Sequence, residues 1–542
     1  MINIEYKNKS YEFNEGIKLN DVLDKFKSEY KNDVLVGSIN NRLMSLNTII
    51  TKDCTVDFYD ITTLLGNRTY ERGLYFLLTK AVQDVLNCDV KIICTIDKGV
   101  YIEILSNDKI SDSTVEKIKL RMDELVEKKI PIDKIMVSRF DAIDYYKELN
   151  QMDKASSLRY ISNSSVSLYR LDDTLDYFYG VLPRNTEFIN KYKLKHIKDN
   201  KIILLYPYLY DMTSEMSFKK NDTVLSIIDE NDKLMENFNI STSSDLNKII
   251  SKGNYEEIIK IGEILLNDKL IDVVKKLQTK KEIRMILIDG PVASGKTTIA
   301  KRLSLFLKSY GYDPIEISIH NFHKETPSNN TLNIINNIDT NLFNNKISEL
   351  FNNKEVFMPK YNFNTNKREW DENKVTLKDN SILIIEGINV FDDKLTEMIP
   401  DKNKYKLFIN VQTPLNIDNH NLFRASDNRL LRNIVKDNKF KNMSVCKTLS
   451  YWKDIRKIEE AIIFPSMMDA DEIINTSLMY ELGILKTYAE PLLFSVSEDS
   501  NNYDEALRLI NLFRVILSIP SDSIPKDSVL REFIGDGCFE KW

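Results

Sequence analysis

A glycine-rich segment in the middle of the chain, GPVASGKTT at 290–298, has the residue types and the spacing that bind the phosphates of a nucleotide. It satisfies the pattern G-x-x-x-x-G-K-[ST], with the apolar run Met285–Asp289 before it and an amphipathic pattern that ends near Gly311 after it. Lys296 is expected to bridge the β- and γ-phosphates of ATP or GTP, and the Thr297 hydroxyl to bind Mg²⁺. The alternative, a chance match in an ordinary strand–turn–helix, is disfavoured by both flanks. The predicted nucleotide-binding residues of this phosphate loop are Gly290, Pro291, Val292, Ala293, Ser294, Gly295, Lys296, Thr297 and Thr298.

A carboxylate and two arginines further along the chain suit the same chemistry. Glu386 ends the apolar run 382–385, and a carboxylate at the end of a buried strand is where Mg²⁺ or its water would be held. Arg429 and Arg432 lie three residues apart and therefore share one helix face, with Lys436 one turn further on. The planar fork of arginine suits a phosphoryl group in transfer, so we predict both arginines, together with Lys296, to be catalytic. A solvated basic helix face is the alternative for the arginines.

Alternating strands and helices are predicted around these residues. Short apolar runs recur along the C-terminal half, and helical patterns lie between most of them. This order predicts an α/β domain with a parallel sheet and helices on both faces. The predicted strands are Met285–Asp289, Pro314–Ile319, Ser381–Glu386, Lys406–Val411 and Glu472–Asn475.

The N-terminal half has a different pattern. Residues 1–61 read as two strands, a helix at Leu19–Tyr30 and two further strands, a β-grasp-like order. Residues 62–230 mix a strong amphipathic helix at Gly73–Leu86 with several strands, which predicts an α+β module. The predicted domain boundaries are 1–61, 62–230, a helical connector at 231–280, a phosphate-loop domain at 281–500, and a C-terminal helix and tail at 501–542.

Composition limits the classes of function. The chain of 542 residues is too long for one core, and 42% hydrophobic with 29% charged residues is typical of a soluble globular protein. A net charge of −6 excludes a basic field over the whole surface. Five scattered cysteines without C-x-x-C spacing, no signal peptide and no long apolar run indicate a cytoplasmic protein without a membrane partner. The sequence leaves open whether it forms an oligomer.

A local basic patch is still present in the second module. Its lysines and arginine surround Tyr192, and basic residues with an aromatic can bind RNA. A solvated loop and strand face is an equally weighted alternative. The patch consists of Arg184, Lys191, Lys193, Lys195, Lys198 and Lys201.

Through these motifs, the region 280–500 resembles the uridine kinase and phosphoribulokinase family. The resemblance implies a P-loop kinase that transfers the γ-phosphate of ATP or GTP to a hydroxyl of uridine or a related small acceptor, with Mg²⁺. It is carried by GPVASGKTT (290–298), SIHNF (318–322), PKYNF (359–363), IEG (385–387) and the Arg429/Arg432 lid.

The N-terminal half resembles the front end of threonyl-tRNA synthetase. Residues 1–61 are similar to its TGS domain and residues 62–230 to its second additional domain, which is used for editing. The whole layout, including the tail SVLREFIG at 528–535, resembles bacterial uridine-kinase-like proteins that fuse these modules. The synthetase resemblance raises the RNA hypothesis, though only by analogy.

The residues depart from both families at chemically important positions. Gly73, Leu77, Phe178 and Leu182 stand where the resemblance places the ligands of a zinc ion. Because a zinc site needs about four N, S or O ligands, we expect neither zinc nor editing chemistry.

In the kinase region, the acidic residues that the family places near the acceptor are replaced. His320-Asn321 stands where an Asp orients or deprotonates the 5′-hydroxyl, Asn362 replaces the Asp of Pro-x-Tyr-Asp-Phe, and a further acidic position falls at Thr331. His320 can act as the base, because its ordinary pKa is about 6.5, whereas asparagine cannot. A passive replacement in a decayed site is the alternative. Asn321, Tyr361 and Asn362 are the candidate acceptor-binding residues.

Two functional hypotheses therefore remain. The first is a kinase with a degenerate acceptor site, since positioning and electrostatics supply most of the catalysis of phosphoryl transfer. The second is a nucleotide-binding regulatory or RNA-associated protein that keeps the phosphate loop and has lost turnover. Nucleotide binding without turnover would favour the second.

Overall fold

A computed structural model of the chain describes residues 1–213, 215–324, 337–362, 365, 367–413 and 415–539. The chain groups into two units that interleave along the sequence. The four boundaries between the five predicted segments stay predictions, because this grouping divides the chain at a coarser level. The first unit comprises Met1–Lys252, Pro414–Arg424 and Glu490–Ser518, and the second comprises Gly253–Thr413, Ala425–Ala489 and Ile519–Trp542.

The first unit begins with a five-stranded mixed sheet of order β2-β1-β7-β4-β5, in which only β1 and β7 pair in parallel. Alternate residues of β1 are buried, as expected for a strand with one face on a core. The helix predicted at Leu19–Tyr30 is shorter: α1 spans Leu19–Asp24, and a 3₁₀ turn follows at Lys27–Glu29. The strands are β1 Ile2–Tyr6, β2 Lys9–Phe13, β3 Ile17–Lys18, β4 Val34–Ile39, β5 Arg42–Met44, β6 Ile49–Ile50 and β7 Cys54–Asp60.

The α+β part of the first unit follows. Its long first helix begins at Leu64 instead of the predicted Gly73, because the Thr63 side chain caps it by accepting a hydrogen bond from Gly66 N. Its strands form two sheets, β13-β14-β9-β8 and β10-β11-β12. The elements are α2 Leu64–Leu86, β8 Val90–Ile96, β9 Gly99–Ile104, α3 Asp112–Glu127, β10 Ile132–Ser138, α4 Arg139–Glu148, α5 Met152–Leu158, β11 Ser165–Leu171, β12 Thr174–Asp176, β13 Lys193–Lys198, β14 Lys201–Leu205, α6 Asp222–Asn237 and α7 Ser243–Ser251.

The remaining elements begin with a long helix that precedes the phosphate loop. Apart from α15, which lies in the first unit, and α14, which ends in it, they belong to the second unit. They are α8 Tyr255–Thr279, β15 Met285–Asp289, α9 Lys296–Ser309, β16 Asp313–Ser318, α10 Thr340–Phe351, β17 Val356–Asn362, β18 Lys367–Val375, β19 Ser381–Glu386, β20 Lys404–Asn410, α11 Ala425–Lys441, α12 Val445–Ile458, α13 Phe464–Ser466, β21 Glu472–Asn475, α14 Glu481–Leu493, α15 Tyr503–Phe513 and α16 Arg531–Ile534.

The second unit is built on a five-stranded parallel sheet of order β16-β19-β15-β20-β21. All residues of β15 and β19 are buried, because helices cover a parallel sheet and its strands are continuous apolar runs. The predicted fold class is confirmed in its architecture: an α/β domain with a parallel sheet follows a β-grasp module and an α+β module. The carboxyl ends of the strands meet at one edge, and there the sheet positions the phosphate loop, Glu386 and the turn that contains His320.

Among the described residues, no helix combines the length and the apolar character that crossing a bilayer requires.

Candidate functional site

The phosphate loop connects the end of β15 to the start of α9, and its backbone has the curled shape that the motif predicts. Positive φ angles occur at Gly290 (151°), Ala293 (59°) and Gly295 (85°). A Cβ atom on Gly290 would lie 2.2 Å from the carbonyl oxygen of Ile409, so glycine is required there for space as well as for conformation. The loop is thus fixed by its own glycines and by the adjacent strand β20.

Lys296 lies inside this loop. Its side chain is buried, and Nζ donates hydrogen bonds of 2.8 Å to the carbonyl oxygens of Gly290 and Pro291. Burial lowers the pKa of Lys296, and the nearby carboxylates of Asp289 and Glu386 oppose that shift. A phosphate would therefore meet a cation that the loop itself already holds in position.

Thr297 and Glu386, the two predicted metal-binding residues, lie together. Thr297 Oγ1 donates a long hydrogen bond of 3.4 Å to Glu386 Oε2. Burial raises the pKa of Glu386, while a hydrogen bond from Ser318 and the charge of Lys296 lower it. A hydroxyl and a carboxylate beside the phosphate loop are the hard oxygen ligands that Mg²⁺ prefers.

A second carboxylate at the loop, Asp289, was missed from the sequence. It is fully buried and accepts hydrogen bonds from the backbone N–H groups of Gly290 (2.7 Å), Asn389 (3.0 Å) and Phe391 (3.3 Å). Burial raises its pKa, and these hydrogen bonds and Lys296 oppose the rise. Asp289 therefore fixes the entry to the loop. The sequence signal that could have identified Asp289 is its position at the end of an apolar strand, which Glu386 shares.

Arg429 supports the phosphate loop by contacting its backbone. The side chain is 2% exposed, and its guanidinium donates to both carboxylate oxygens of Glu459, with 2.8 Å between Nη2 and Oε2. Nη1 also donates to the carbonyl oxygen of Val292 at 3.0 Å, and Glu459 in turn accepts from Val292 N at 2.9 Å. The arginine is thus bound to the loop backbone and to a buried carboxylate.

Arg432 has the same arrangement one turn further along α11. It is fully buried, donates to both carboxylate oxygens of Glu481, and reaches the carbonyl oxygens of Ala293 (3.2 Å) and Thr476 (3.0 Å). From the sequence, Arg429 and Arg432 are predicted to be cations over the transferring phosphoryl group. Their buried ion pairs and loop contacts make them supports of the loop in this conformation.

His320 lies in a 3₁₀ turn directly after β16. Burial lowers its pKa to about 4, and the nearby Lys296, Lys436 and Lys441 add to the shift. Its ring stacks on that of His323, with 5.7 Å between the centroids. His320 is therefore neutral at neutral pH and able to accept a proton.

The other acceptor candidates are only partly brought together. Asn321 Oδ1 accepts a hydrogen bond of 3.4 Å from Tyr361 N, and the Tyr361 ring lies 5.4 Å from that of His323. Asn362 instead bonds within the β17–β18 hairpin, where its Nδ2 donates to Glu369 Oε1 at 2.9 Å. Thr331, like Phe363 of the PKYNF segment, lies outside the described residues.

The loop also passes a test of fit for a nucleotide phosphate. Ser294 Oγ is buried and has no hydrogen-bond partner among the described residues. The first N–H groups of α9 lack intrahelical partners, as at the start of any helix, and they face the loop with Lys296. A hydroxyl, a cation and N–H donors at a helix start are the set that a phosphate requires.

In the first unit, three of the four positions where the resemblance expected zinc ligands belong to one apolar core. Leu77, Phe178 and Leu182 are buried in it. A Cβ on Gly73 would lie 2.9 Å from the ring of Pro183, so this position is filled as well. Within the described part of the chain, no group of three or more His, Cys, Asp or Glu residues is arranged to hold a metal ion.

Three of the six cations of the predicted basic patch form ion pairs with nearby acids. Lys193 pairs with Glu215 at 2.8 Å, and Lys198 pairs with Asp229 at 2.5 Å. Lys201 pairs with the same Asp229 at 3.2 Å. The positive field available to a nucleic acid is therefore smaller than the sequence suggested.

A buried ionic cluster in the first unit was not foreseen. His420 donates to Asp89 (2.7 Å between Nε2 and Oδ1) and to Asp176 (2.6 Å between Nδ1 and Oδ2), and Lys154 also pairs with Asp176. Although burial opposes a charge on the imidazole, the two carboxylates raise the pKa of His420 to about 10. The cluster holds residues 415–424 within the first unit, and its charges compensate one another.

Comparison with known proteins agrees with the two parts of the chain. Residues 285–476 match the model of the Phosphoribulokinase / Uridine kinase family. The N-terminal part is similar to threonine–tRNA ligases. The ligase of Syntrophotalea carbinolica is 28% identical over 201 residues, which cover 36% of this chain and 32% of the ligase. That of Clostridium kluyveri is 26% identical over 180 residues, or 32% of this chain and 28% of the ligase. This chain thus spans about a third of the length of these relatives.

Two solved structures are also similar. One is described as a possible uridine kinase from Bacillus stearothermophilus, with 18% identity and a TM-score of 0.27 over 39% of this chain and 99% of the other. The second is a putative fructose transport system kinase from Silicibacter, with 16% identity and a TM-score of 0.28 over 38% of this chain and 98% of the other.

The parallel sheet, the phosphate loop and the family match concern the same stretch of chain. Residues 285–476 form a domain of the phosphoribulokinase / uridine kinase family, preceded by modules like those of threonine–tRNA ligases.

Proposed function

We propose that the protein is a phosphotransferase that moves the γ-phosphate of ATP or GTP, with Mg²⁺, to a hydroxyl of uridine or a related small acceptor. The observation that carries the proposal is the arrangement at the phosphate loop, where Lys296 is buried between loop carbonyls and Thr297 Oγ1 lies 3.4 Å from Glu386 Oε2. The family match of residues 285–476 supports the reaction class and is the reason for naming a nucleoside acceptor.

Each loop residue then has a physical role. Lys296 and the N–H groups of the phosphate loop bind phosphate oxygens, and Thr297 with Glu386 would hold the metal or its water. The bound magnesium nucleotide supplies the phosphoryl group and a cation that neutralises the charge developing on it. Arg429 and Arg432 keep the loop rigid through their contacts with Val292 and Ala293, which matters because phosphoryl transfer depends mainly on positioning.

His320 is the base of the proposed reaction. The proton of the acceptor hydroxyl would pass to a ring nitrogen of His320, which is neutral at neutral pH because its pKa is about 4. A base that weak lies far from the operating pH, so its contribution is smaller than that of a well-matched base, which gives about 10²–10⁴ in rate. We therefore expect slow turnover or an unusual acceptor.

The test compares three forms of the full-length protein by calorimetry with Mg–ATP and Mg–GTP. Lys296→Ala should weaken nucleotide binding strongly, because it removes the cation of the loop. Lys308→Ala is a matched control, since Lys308 is an exposed lysine on the same helix α9. Equal nucleotide affinity of the parent and Lys296→Ala would refute the proposal. Consumption of ATP over a panel of nucleosides and small alcohols then identifies the acceptor.

A nucleotide-binding protein without turnover is the second candidate. Asn321 and Asn362 occupy positions where a carboxylate would act, and both amides are engaged in hydrogen bonds, Asn321 with Tyr361 N and Asn362 with Glu369. Nucleotide binding that depends on Lys296, with no acceptor consumed across the panel, would favour this candidate. Phosphoryl transfer that is lost in Lys296→Ala would exclude it.

The N-terminal modules are the basis for proposing RNA as a partner. Their similarity to threonine–tRNA ligases suggests contact with RNA in the cytoplasm, although Lys193, Lys198 and Lys201 are paired with acids. A filter-binding titration with total tRNA at 50 mM and 200 mM salt tests this, because contacts with phosphates lose affinity steeply as salt rises.

A further inference from the structure

A segment near the C-terminus lies against the phosphate loop. This C-terminal segment, Ser528–Gly535, contains the short helix α16. Val529 packs on the loop so closely that a Cβ on Gly295 would lie 2.6 Å from its Cγ1. The ring of Phe533 lies 5.0 Å from the guanidinium of Arg432, which supports the loop. The segment is therefore part of the surroundings of the nucleotide site.

Glu532 connects this segment to the start of helix α9. Its Oε2 accepts hydrogen bonds from Thr298 Oγ1 (2.8 Å) and from the backbone N–H of Thr298 (3.3 Å), while Oε1 pairs with Lys436 at 3.0 Å. Burial opposes ionisation of this carboxyl, but Lys436 and the Thr298 hydroxyl outweigh it and hold the pKa of Glu532 below its usual value. A carboxylate anion thus lies at the start of α9.

The N–H that Glu532 uses is one that a phosphate needs. Helix α9 begins at Lys296, so Thr298 is its third residue and its N–H has no partner within the helix. Such groups at the end of a phosphate loop bind the phosphates of a nucleotide. A phosphate oxygen and Glu532 Oε2 cannot both accept from this N–H, and two anions at this distance repel each other.

We propose that the C-terminal segment is an internal competitor of the nucleotide: the Glu532 carboxylate takes the place of a phosphate at Thr298 and must leave before the nucleotide can bind fully. The inference rests on the proposed function, because it assumes that the loop binds a nucleotide. In the exchange Lys436 loses its carboxylate partner, and the arriving phosphate is an anion that this lysine can pair with. The cavity beside this contact, lined by Thr297, Thr298, Lys301 and Glu532, has a volume of only about 20 Å³. That is room for a water molecule and not for a phosphate, so the segment has to move before the exchange can occur.

The experiment measures the affinity of the full-length protein for Mg–ATP and Mg–GTP. Glu532→Gln keeps the shape of the side chain and removes its charge, so the variant should bind nucleotide about tenfold more tightly, the factor that corresponds to about 1.4 kcal/mol. Asp522→Asn is the matched control, because Asp522 is an exposed carboxylate shortly before the segment and does not line the cavity at the loop. Its affinity should equal that of the parent. An affinity of Glu532→Gln equal to or below that of the parent overturns the inference.

Hydrogen exchange of the parent protein provides a second measurement that needs no variant. Adding Mg–ATP should speed exchange at residues 528–535, because the segment loses its contact with Thr298. Slower exchange there would mean that the segment closes over the bound nucleotide, which contradicts competition.

Lys296→Ala separates the two possible failures. If it binds nucleotide as well as the parent does, the proposed function fails and the inference falls with it. If binding depends on Lys296 but Glu532→Gln gains no affinity, the inference alone fails.

Discussion

Replacing Arg432 by methionine separates two roles that an arginine beside a phosphate loop can have. As a support of the loop, Arg432 binds both oxygens of Glu481 and reaches the carbonyl oxygens of Ala293 and Thr476. As a cation for the transferring phosphoryl group, it would leave these partners and act only in catalysis. The first role predicts a loss of stability, whereas the second predicts a loss of rate in a protein that remains equally stable.

The magnitude follows from the burial of the pair. Arg432 and Glu481 are both completely buried, so Arg432→Met leaves an uncompensated carboxylate in the interior. Breaking a buried pair in this way costs about 3–5 kcal/mol. For a unit of this size, each kcal/mol lowers the unfolding midpoint by about 2–4 °C, which gives a decrease of roughly 6–20 °C.

The assay is thermal unfolding of the full-length protein, followed by circular dichroism. The double variant Arg432→Met/Glu481→Gln removes both charges and should recover most of the lost stability, because replacing a buried pair as a whole costs little. Lys447→Met, a change at an exposed lysine of the neighbouring helix α12, should shift the free energy of unfolding by no more than about 0.5 kcal/mol. A midpoint of Arg432→Met within about 2 °C of the parent, together with a loss of rate, would refute the structural role.

Two further predictions concern histidines. If His320 is the base, kcat/KM should fall as the pH drops through its pKa of about 4. His320→Ala should remove that fall and lower the rate at neutral pH. A rate unaffected by His320→Ala would show that another group accepts the proton. The pKa of His420 is raised to about 10, so its stabilising charge is complete below pH 6.5 and is lost as the pH rises through 10. His420→Gln should be less stable than the parent at neutral pH, because Asp89 and Asp176 lose the cation between them. Its unfolding midpoint should fall less than that of the parent between pH 6.5 and 10. An equal change of the unfolding midpoint with pH in both proteins would contradict this.

Much of the fold could be predicted from the sequence because its signals are local. The phosphate loop is a strand, a tight turn and a helix within one short stretch, and its glycines are required by backbone angles that few other residues adopt. The strands of the parallel sheet were visible as apolar runs, since a strand buried on both faces must be apolar throughout. The helix ends were less well predicted. Helix α1 ends early, at Asp24, and α2 begins early, at Leu64, where the Thr63 side chain caps it.

The roles of charged side chains were decided by partners that lie far away along the chain. Arg429 could be a solvated cation, a catalytic group or a support of the loop, and only its pairing with Glu459, thirty residues away, distinguishes them. His420 and Asp89 are 331 positions apart, and Glu532 lies 234 positions from the Thr298 N–H that it occupies. The sequence by itself determined which groups can bind a phosphate. Only the tertiary structure decided which are buried, which are paired and which are already occupied, because desolvation and pairing depend on distances in space that no spacing along the chain specifies.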